Sequence, residues 1–282
     1  MHQRRLLITT SILFLVGVNI FLWGTRLRSP SVLSVSFLDV GQGDAIYIRT
    51  PNGNDVLIDA GANRSVLRSL GKVMPFFDRH VDISIATHPD MDHIGGFVPF
   101  LSSYSTSVVL DSGNKKDGSV VEEFAATLEQ KNIPIIRAQR GMNILLDAES
   151  DIWLRILFPG SDVSEWDAND ASIVAVLSYG DTSFLLTGDA PAETEYFLLE
   201  QNPELRDMSV LKLGHHGSGT SSAFRFLEIT SPEISIVSAG KNNRYGHPSK
   251  ETVEKLNLLS LPFRSTAEEG TITITSDGTR IY

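Results

Sequence analysis

The sequence predicts an α/β fold in which two β-sheets pack face to face and helices cover their outer surfaces. Short apolar runs that alternate like strands recur along the chain, and helical patterns are interspersed with them in both halves. No repeat, low-complexity tract or internal linker divides the chain after its first 30 residues. With 282 residues, 41% of them hydrophobic and 21% charged, the chain is long enough to bury a large core.

The elements of the first half are predicted from strand alternation and from helical periodicity. A tight hairpin turn is predicted at Pro51–Asn54, because its Gly and Asn residues suit such a turn, and the strands on either side should pair. The predicted strands cover residues 33–38, 45–49, 55–59, 81–86, 107–110, 133–137 and 143–146, and the predicted helices cover residues 64–73, 94–102 and 120–130.

The second half has the same mixed character, and together the two halves are predicted to form one domain, residues 31–282. Pro191 lies in the first turn of a predicted helix, where a backbone N–H would have no partner within the helix, so proline costs no hydrogen bond. The predicted strands cover residues 152–158, 172–178, 183–186, 210–213 and 234–237, two or three short strands follow within 262–282, and the helices cover residues 191–201, 222–227 and 249–258.

Residues 1–30 form a separate element, a predicted membrane anchor with its linker. Leu6–Gly24 contains nineteen residues without a charge. A helix of that length, at ~1.5 Å per residue, spans a ~30 Å hydrocarbon layer. Trp23 lies near one end, where an interfacial aromatic is typical, and no small-x-small cleavage site of a signal peptide is obvious. This predicts an uncleaved, single-pass protein of the cell membrane, with its N-terminus inside and its folded domain outside the cytoplasm.

Charge and cysteine content restrict the function. Four of the 24 basic residues and none of the 34 acidic residues lie in the first 30 positions, so the remainder carries a net charge of −14. That balance argues against a surface that binds nucleic acid tightly, since such surfaces are basic. Cysteine is absent, so a metal site would have only nitrogen and oxygen ligands.

The most informative segment is Thr87–Gly96, which directly follows a predicted strand. Four candidate metal ligands fall within six residues there: His88, Asp90, Asp92 and His93. A strand that ends in such a cluster brings several ligands to one point, and the pair Gly95–Gly96 leaves room for the backbone to turn close to an ion. Imidazole suits zinc-like ions and carboxylate suits manganese or magnesium, so the pattern predicts a divalent metal site.

Histidines elsewhere follow the same pattern. Five of the seven occur beside Asp, Gly or Pro in short motifs, which packing alone does not explain: His88, His93, His215, His216 and His247. Asp189 ends another predicted strand and is favoured as a metal ligand, although it could instead cap the helix that begins near Pro191. His215 and His216 follow a strand in Leu211–Ser218, and which of them binds metal stays open, with a slight preference for His216.

The motif His88-x-Asp90-x-Asp92-His93-x-Gly95-Gly96 resembles the metal motif of the metallo-β-lactamase superfamily. Asp90 stands where most members have His, and this variant is similar to the hydrolase domain of ComEC-type competence proteins. The resemblance extends over residues 32–282. It implies an αββα sandwich of two mixed β-sheets flanked by helices, and a centre for two divalent metal ions, manganese or zinc, with magnesium possible.

The resemblance also implies a ligand set. The first ion would be held by His88, Asp90 and Asp189, and the second by Asp92, His93, Asp189 and either His215 or His216. Asp189 would bridge the two ions, and Asp92 or Asp189 would hold the attacking water. Asp59 would orient a ligand histidine through its other ring nitrogen. Asn169 replaces a further histidine ligand of most members, which shifts the preference from zinc towards manganese or magnesium.

The remaining matched motifs imply substrate contacts. The residues expected to line the cleft or bind substrate are Gln42, Asp44, Asn169, Ser172, Ser218 and Arg244. His247 could donate a proton to the leaving oxygen or contact a phosphate. The function predicted is a metal-dependent phosphodiesterase or nuclease acting on DNA or another phosphodiester outside the cytoplasmic membrane. A hydrolase of a cell-wall phosphodiester or lactone, and a catalytically silent anchored binding module, are the alternatives.

Overall fold

The computed structural model describes residues 9–19 and 32–282. The chain divides into two units, Met1–Ser31 and Val32–Tyr282, and residues 9–19 of the first unit form helix α1. Within these two stretches, every helix is too short or too polar to cross a membrane. The predicted anchor, Leu6–Gly24, extends at both ends beyond residues 9–19 and so lies partly outside the described residues.

The first sheet contains the strands of the N-terminal half and one strand from the C-terminus. Its members are β1 (Leu33–Phe37), β2 (Ile46–Arg49), β3 (Asp55–Ile58), β4 (His80–Ala86), β5 (Ser105–Asp111), β6 (Ile135–Arg137) and β14 (Ile272–Ser276). Within residues 32–282 they lie in the order β14-β1-β2-β3-β4-β5-β6. The β14-β1-β2-β3 part is antiparallel, and the β3-β4-β5-β6 part is parallel.

The second sheet is built in the same way from the other half of the chain. It contains β7 (Asn143–Asp147), β8 (Ile152–Phe158), β9 (Val174–Tyr179), β10 (Thr182–Leu186), β11 (Val210–Lys212), β12 (Ile234–Val237) and β13 (Phe263–Ser265). The order is β13-β12-β11-β10-β9-β8-β7, antiparallel from β7 to β10 and parallel from β10 to β13. Both sheets are therefore mixed.

Helices cover the outer faces of both sheets. They are α2 (Ser65–Val73), α3 (Met91–Ile94), α4 (Phe97–Ser103), α5 (Ser119–Gln130), α6 (Ala192–Gln201), α7 (Phe224–Thr230), α8 (Lys250–Leu258) and α9 (Thr266–Glu269). One buried cluster joins the inner faces of the two sheets, and it includes Phe37, Ile85, Phe184 and Ile236. A second buried cluster lies between the first sheet and its helices, and a third lies between the second sheet and its helices. The fold is thus two mixed sheets between layers of helices, and this part of the fold prediction is confirmed.

The predicted helix at 94–102 is replaced by two shorter helices, α3 and α4, which meet at Gly95–Gly96. A Cβ atom at Gly96 would overlap the Ala60 carbonyl oxygen, and one at Gly95 would overlap that of Ala62. The Gly96 N–H also donates to the Gly61 carbonyl at 2.8 Å. The two glycines therefore let the metal motif pack against the loop after β3, which is a different role from the turn around an ion that the sequence suggested.

Candidate metal centre

The candidate metal ligands meet because they follow the carboxyl ends of strands from both sheets. The β4 strand ends just before Thr87–His88, and β10 ends just before Asp189. The β11 strand leads directly into His215 and His216. Since β3, β4, β10 and β11 all lie in the parallel parts of their sheets, their carboxyl ends bring these side chains to one edge of the sandwich.

Asp189 lies at the centre of the cluster. Its Oδ2 atom is 3.2 Å from His93 Nε2, 3.3 Å from His216 Nε2, 3.9 Å from His215 Nε2 and 4.0 Å from His88 Nε2. Ligands about 2.0–2.1 Å from a tetrahedral ion stand roughly 3.3 Å from one another. The two shorter distances are therefore already those of ligands around one ion.

Three buried histidine nitrogens in this cluster have no hydrogen-bond partner among the described residues: the Nε2 atoms of His88, His93 and His216. The opposite ring nitrogens are held. His93 Nδ1 donates to Asp59 Oδ2 at 2.7 Å, and His216 Nδ1 donates to the Ser238 carbonyl at 2.9 Å. Because a carboxylate and a carbonyl can only accept, each Nδ1 carries a hydrogen, so in the neutral ring Nε2 has the lone pair that would bind a metal.

In His88, too, Nδ1 is held and Nε2 has no hydrogen-bond partner in residues 32–282, but here two hydroxyl groups lie beside Nδ1. The Thr87 hydroxyl donates to Asp59 at 2.7 Å, so it accepts from His88 Nδ1 at 3.1 Å. Burial, together with the charge of His93, lowers the pKa of His88 to about 4 and keeps the imidazole neutral. Ser172 was expected to contact substrate, but it is fully buried behind His88, 3.3 Å from Nδ1, and it accepts the Asp189 N–H at 3.2 Å. Its position suits orientation of these two residues and not contact with a substrate.

The backbone at His215 and His216 separates the two side chains. Both residues have left-handed conformations, with φ of 48° and 56°, which cost roughly 1–2 kcal/mol each outside glycine. The His216 ring is buried in the cluster, whereas His215 is partly exposed and its Nδ1 lies 3.2 Å from Thr220 Oγ1. This geometry favours His216 over His215 as the metal ligand beside Asp189.

Asp92 completes the set implied for the second ion. Its Oδ2 atom is 3.3 Å from His216 Nε2, and the side chain is 31% exposed towards the cleft. Burial disfavours the imidazolium form of His216, but the charges of Asp189 and Asp44 outweigh it and raise the pKa of His216 to about 9. The pocket therefore attracts positive charge, and a bound cation would replace that proton. These residues fit a divalent metal.

The residues implied for the first ion are less tightly assembled. Asp90 Oδ1 accepts from Lys116 Nζ at 2.7 Å. Both residues line an open cavity of about 440 Å³, together with Asn169 and His215. The Asn169 Oδ1 atom is buried and has no hydrogen-bond partner in residues 32–282. This cavity gives access from solvent to the edge of the cluster where Asp90 and His215 lie.

The cluster also contains Lys212, which was not predicted from the sequence, and Asp44, which was predicted to line the cleft. Asp44, His93, Asp189 and His216 are all buried, and each offers an atom within 4.8 Å of the others. Asp44 was expected to line the cleft, yet it pairs with Lys212 Nζ in the interior. Lys212 also donates to the Gly188 carbonyl at 2.7 Å and lies 3.6 Å from Asp189 Oδ1. The available signal was a lysine inside an apolar strand directly before Gly-His-His.

Gly43 places Asp44 in this position. Its φ is +120°, and a Cβ atom there would overlap the Asp92 carbonyl oxygen. The Asp44 N–H then donates to that same carbonyl at 3.2 Å. The loop after β1 and the metal motif thus pack backbone to backbone, which only glycine permits.

A second cavity, of about 410 Å³, lies on the other side of Asp92. Gln42, Arg244 and Tyr245 line it. Gln42 Oε1 accepts the Gly240 N–H at 3.3 Å, and the Arg244 guanidinium lies 4.8 Å above the Tyr245 ring and donates to its hydroxyl at 2.6 Å. A cationic side chain therefore stands at the mouth of the centre.

His247 and Ser218 lie near the same centre. The ring centroid of His247 is 5.5 Å from that of His215 and 6.2 Å from that of His216. Its Nδ1 atom is buried without a hydrogen-bond partner in the described domain. Ser218 Oγ, by contrast, is engaged with Thr220 Oγ1 at 3.0 Å. His247 is thus placed beside the ligands with a free ring nitrogen.

Two stacked mixed sheets that carry histidines and carboxylates at one edge define a metal-binding αββα protein. The chain matches the Metallo-beta-lactamase superfamily model over residues 38–241, and it belongs to that superfamily. The resemblance inferred from the His88 motif is thereby confirmed.

Curated relatives agree with the ComEC-type resemblance. ComE operon protein 3 of Bacillus subtilis is 30% identical over 259 residues, which are 84% of this chain and 32% of that protein. Recombination protein 2 of Haemophilus influenzae is 29% identical, over 87% of this chain and 29% of the relative. Competence protein ComA of Neisseria gonorrhoeae is 27% identical, over 85% and 32%. The chain thus spans about a third of the length of these relatives.

Solved structures support the fold. The metallo-beta-lactamase fold protein YhfI of Bacillus subtilis superposes with a TM-score of 0.58 at 13% identity, covering 86% of this chain and 100% of that one. CmlA, a diiron beta-hydroxylase from Streptomyces venezuelae, has a TM-score of 0.55 at 11% identity, covering 87% of this chain and 54% of its own. At these identities the likeness concerns the fold alone.

Proposed function

We propose that this protein is a metal-dependent hydrolase that cleaves a phosphodiester, with DNA as the favoured substrate. The observation that carries the proposal is the set of three buried Nε2 atoms without hydrogen-bond partners around the Asp189 carboxylate. Such atoms are costly unless they bind a ligand, and nitrogen with carboxylate oxygen is a donor set for divalent metals. The names of the relatives, a competence protein and a recombination protein, support DNA as the substrate.

In this proposal Asp92, His93, Asp189 and His216 hold one cation. His88, Asp90 and Asp189 hold a second. When bound, divalent cations at such a site supply Lewis acidity, which activates water and neutralises the charge that develops on the phosphodiester. Because Asp90 is paired with Lys116, we expect the second cation to bind more weakly than the first. The substitution of Asp90 and Asn169 for histidines favours manganese or magnesium over zinc in the active enzyme.

Side chains around the centre suit a phosphodiester. Arg244 places a positive charge in the cavity that flanks Asp92, where it can pair with a phosphate, whereas Lys116 in the cavity beside Asp90 is already paired with that carboxylate. His247 is close enough to the ligands to donate a proton to the leaving oxygen. Asp59 and Ser172 orient the histidines from behind and do not meet the substrate.

We also propose that the domain acts outside the cytoplasmic membrane, tethered through the apolar segment Leu6–Gly24. The proposal is supported by the uncharged composition of that segment. It is tested by protease accessibility of the domain in intact cells.

The central experiment is metal analysis of the purified full chain, followed by assays on single-stranded and duplex DNA with manganese, magnesium or zinc. We expect two equivalents of metal and hydrolysis of DNA that depends on manganese or magnesium. Asp189→Ala should lose metal and activity together, whereas Asp181→Ala, on the exposed turn before β10, should keep both. If Asp189→Ala retained two equivalents, the bridging role would be wrong. Cleavage of glycerol phosphate polymer or lactone, without cleavage of DNA, would replace the substrate assignment.

A further inference from the structure

A third cavity, of about 560 Å³, adjoins the metal centre and has a different character. Three aromatic rings line it: Phe158 in its floor, Phe197 on α6 and Trp166 in the loop after β8. The Phe158 centroid is 6.1 Å from that of Trp166 and 5.8 Å from that of Phe197. Trp166 is 46% exposed, and no hydrogen bond to its indole N–H occurs in residues 32–282. A large aromatic face is thus presented to solvent.

This aromatic cavity shares part of its wall with the cavity beside the metal centre. Asp170 and Pro191 line both it and the cavity that contains Asp90 and His215. Asp170 directly follows Asn169, which lines the cavity beside Asp90 and has a buried side-chain oxygen without a hydrogen-bond partner in residues 32–282. A ligand whose phosphate lies at the metal edge could therefore place its next chemical group among the aromatic rings.

The polar groups around the rings indicate what that chemical group is. The Arg140 guanidinium lies 5.6 Å from the Phe197 centroid and is held by Gln201 Oε1 at 3.0 Å. Asp170 and Glu193 add two carboxylates to the wall. Two acidic groups against one engaged arginine disfavour a phosphate there. They favour a neutral planar group with N–H donors, which can stack on the rings and donate to the carboxylates.

We infer that this aromatic cavity binds a nucleobase of a single-stranded nucleic acid while the adjacent phosphate lies at the metal centre. The inference rests on the proposed function, and it assigns to the protein a substrate whose bases are unpaired. Proteins that hold single strands without sequence preference combine a positively charged groove for the phosphates with aromatic rings on which the bases stack. In a domain whose net charge is −14, stacking on this cavity would supply an attraction for the substrate that does not depend on basic residues.

The test compares a single-stranded oligodeoxynucleotide with an oligomer of the same length in which every base is replaced by an abasic tetrahydrofuran residue. We expect the wild-type full chain to prefer the base-bearing oligomer by about 10-fold to 100-fold in kcat/KM, which corresponds to stacking of one base. Trp166→Ala should remove that preference and leave cleavage of the abasic oligomer unchanged. Trp153→Ala, at a tryptophan 36% exposed on β8, is the matched control and should keep the preference.

A binding measurement separates failure of this inference from failure of the proposed function. In the full chain carrying Trp23→Phe and Trp153→Phe, the fluorescence of Trp166 should be quenched by deoxyadenosine monophosphate and not by ribose 5-phosphate. Quenching without any phosphodiester cleavage would retain the base site and reject the proposed reaction. Equal cleavage of both oligomers, with no effect of Trp166→Ala and no quenching, would overturn the inference. Preferential cleavage of glycerol phosphate polymer would also overturn it.

Discussion

Lys212 and Asp44 form a buried ion pair that joins the two sheets beside the metal ligands. Lys212 belongs to β11 of the second sheet, and Asp44 precedes β2 of the first. The lysine also approaches Asp189, so its charge offsets two carboxylates in a place that water does not reach. The centre thus contains a permanent cation of its own as well as ligands for added ones.

The first prediction is that Lys212→Met destabilises the protein by about 3–5 kcal/mol, because it leaves the Asp44 carboxylate buried without a partner. The free energy of unfolding would be measured in urea without metal. Lys241→Met, at an exposed lysine, serves as the control and should have little effect. The double variant Asp44→Asn, Lys212→Met should recover much of the loss. A single variant as stable as the wild type would show that the pair carries no stabilising role.

The second prediction concerns Asp59, which accepts hydrogen bonds from His93 Nδ1 and from the Thr87 backbone and hydroxyl. Asp59→Asn should weaken metal binding by about 10-fold to 100-fold, because the amide has one acceptor oxygen where the carboxylate uses two, so it cannot accept from Thr87 and orient His93 at the same time. Competition with a chelator measures this affinity. Asp117→Asn, at an exposed aspartate, should bind metal as the wild type does. Unchanged affinity in Asp59→Asn would contradict the orienting role.

The third prediction is that His247→Ala keeps its metal but lowers kcat by about 100-fold, as expected for loss of a general acid. His247 lies beside His215 and is not among the side chains around Asp189 Oδ2. Metal content and turnover on the same preparation would be compared, with the exposed His80→Ala as the control. Loss of metal from His247→Ala would instead make His247 a ligand.

The fourth prediction follows from Glu195, a buried carboxylate that accepts the N–H groups of Ser222 and Ala223 at 2.7 Å each, just before α7. Burial raises its pKa to about 7 from an ordinary value of 4.5. The folded protein thus holds this proton more tightly than the unfolded chain does. This contribution to the free energy of unfolding is greatest below pH 4.5 and is lost as the pH rises through about 7.

Glu195→Gln removes this titration. Its free energy of unfolding relative to the wild type should therefore increase by about 3 kcal/mol between pH 4.5 and about pH 8. Unfolding in urea at a series of pH values measures that difference, in which the titration of other groups cancels. Glu228→Gln, at an exposed glutamate of α7, is the control for the exchange of Glu for Gln. A flat profile for Glu195→Gln would show that this carboxylate titrates normally.

Most elements of the fold could be predicted, because each strand and helix has its own local pattern. The strand predicted at 152–158 is β8, and the helix predicted at 120–130 is α5 with one residue added. The errors fall where the local structure depends on backbone that is far away in the sequence. The break between α3 and α4 depends on the loop at residues 60–62, and the short helix α9 was not predicted.

The sequence by itself determined the superfamily and the clustering of candidate ligands at strand ends, since those signals lie within short segments such as Thr87–Gly96. Only the tertiary structure decided which side chains share one space. The left-handed backbone of His215 and His216 buries one ring and leaves the other at the cleft. Burial of Lys212 against Asp44 could not be predicted, because a lysine is ordinarily exposed and its partner is 168 positions away on the other sheet. Residues far apart in the chain meet only when the two sheets pack.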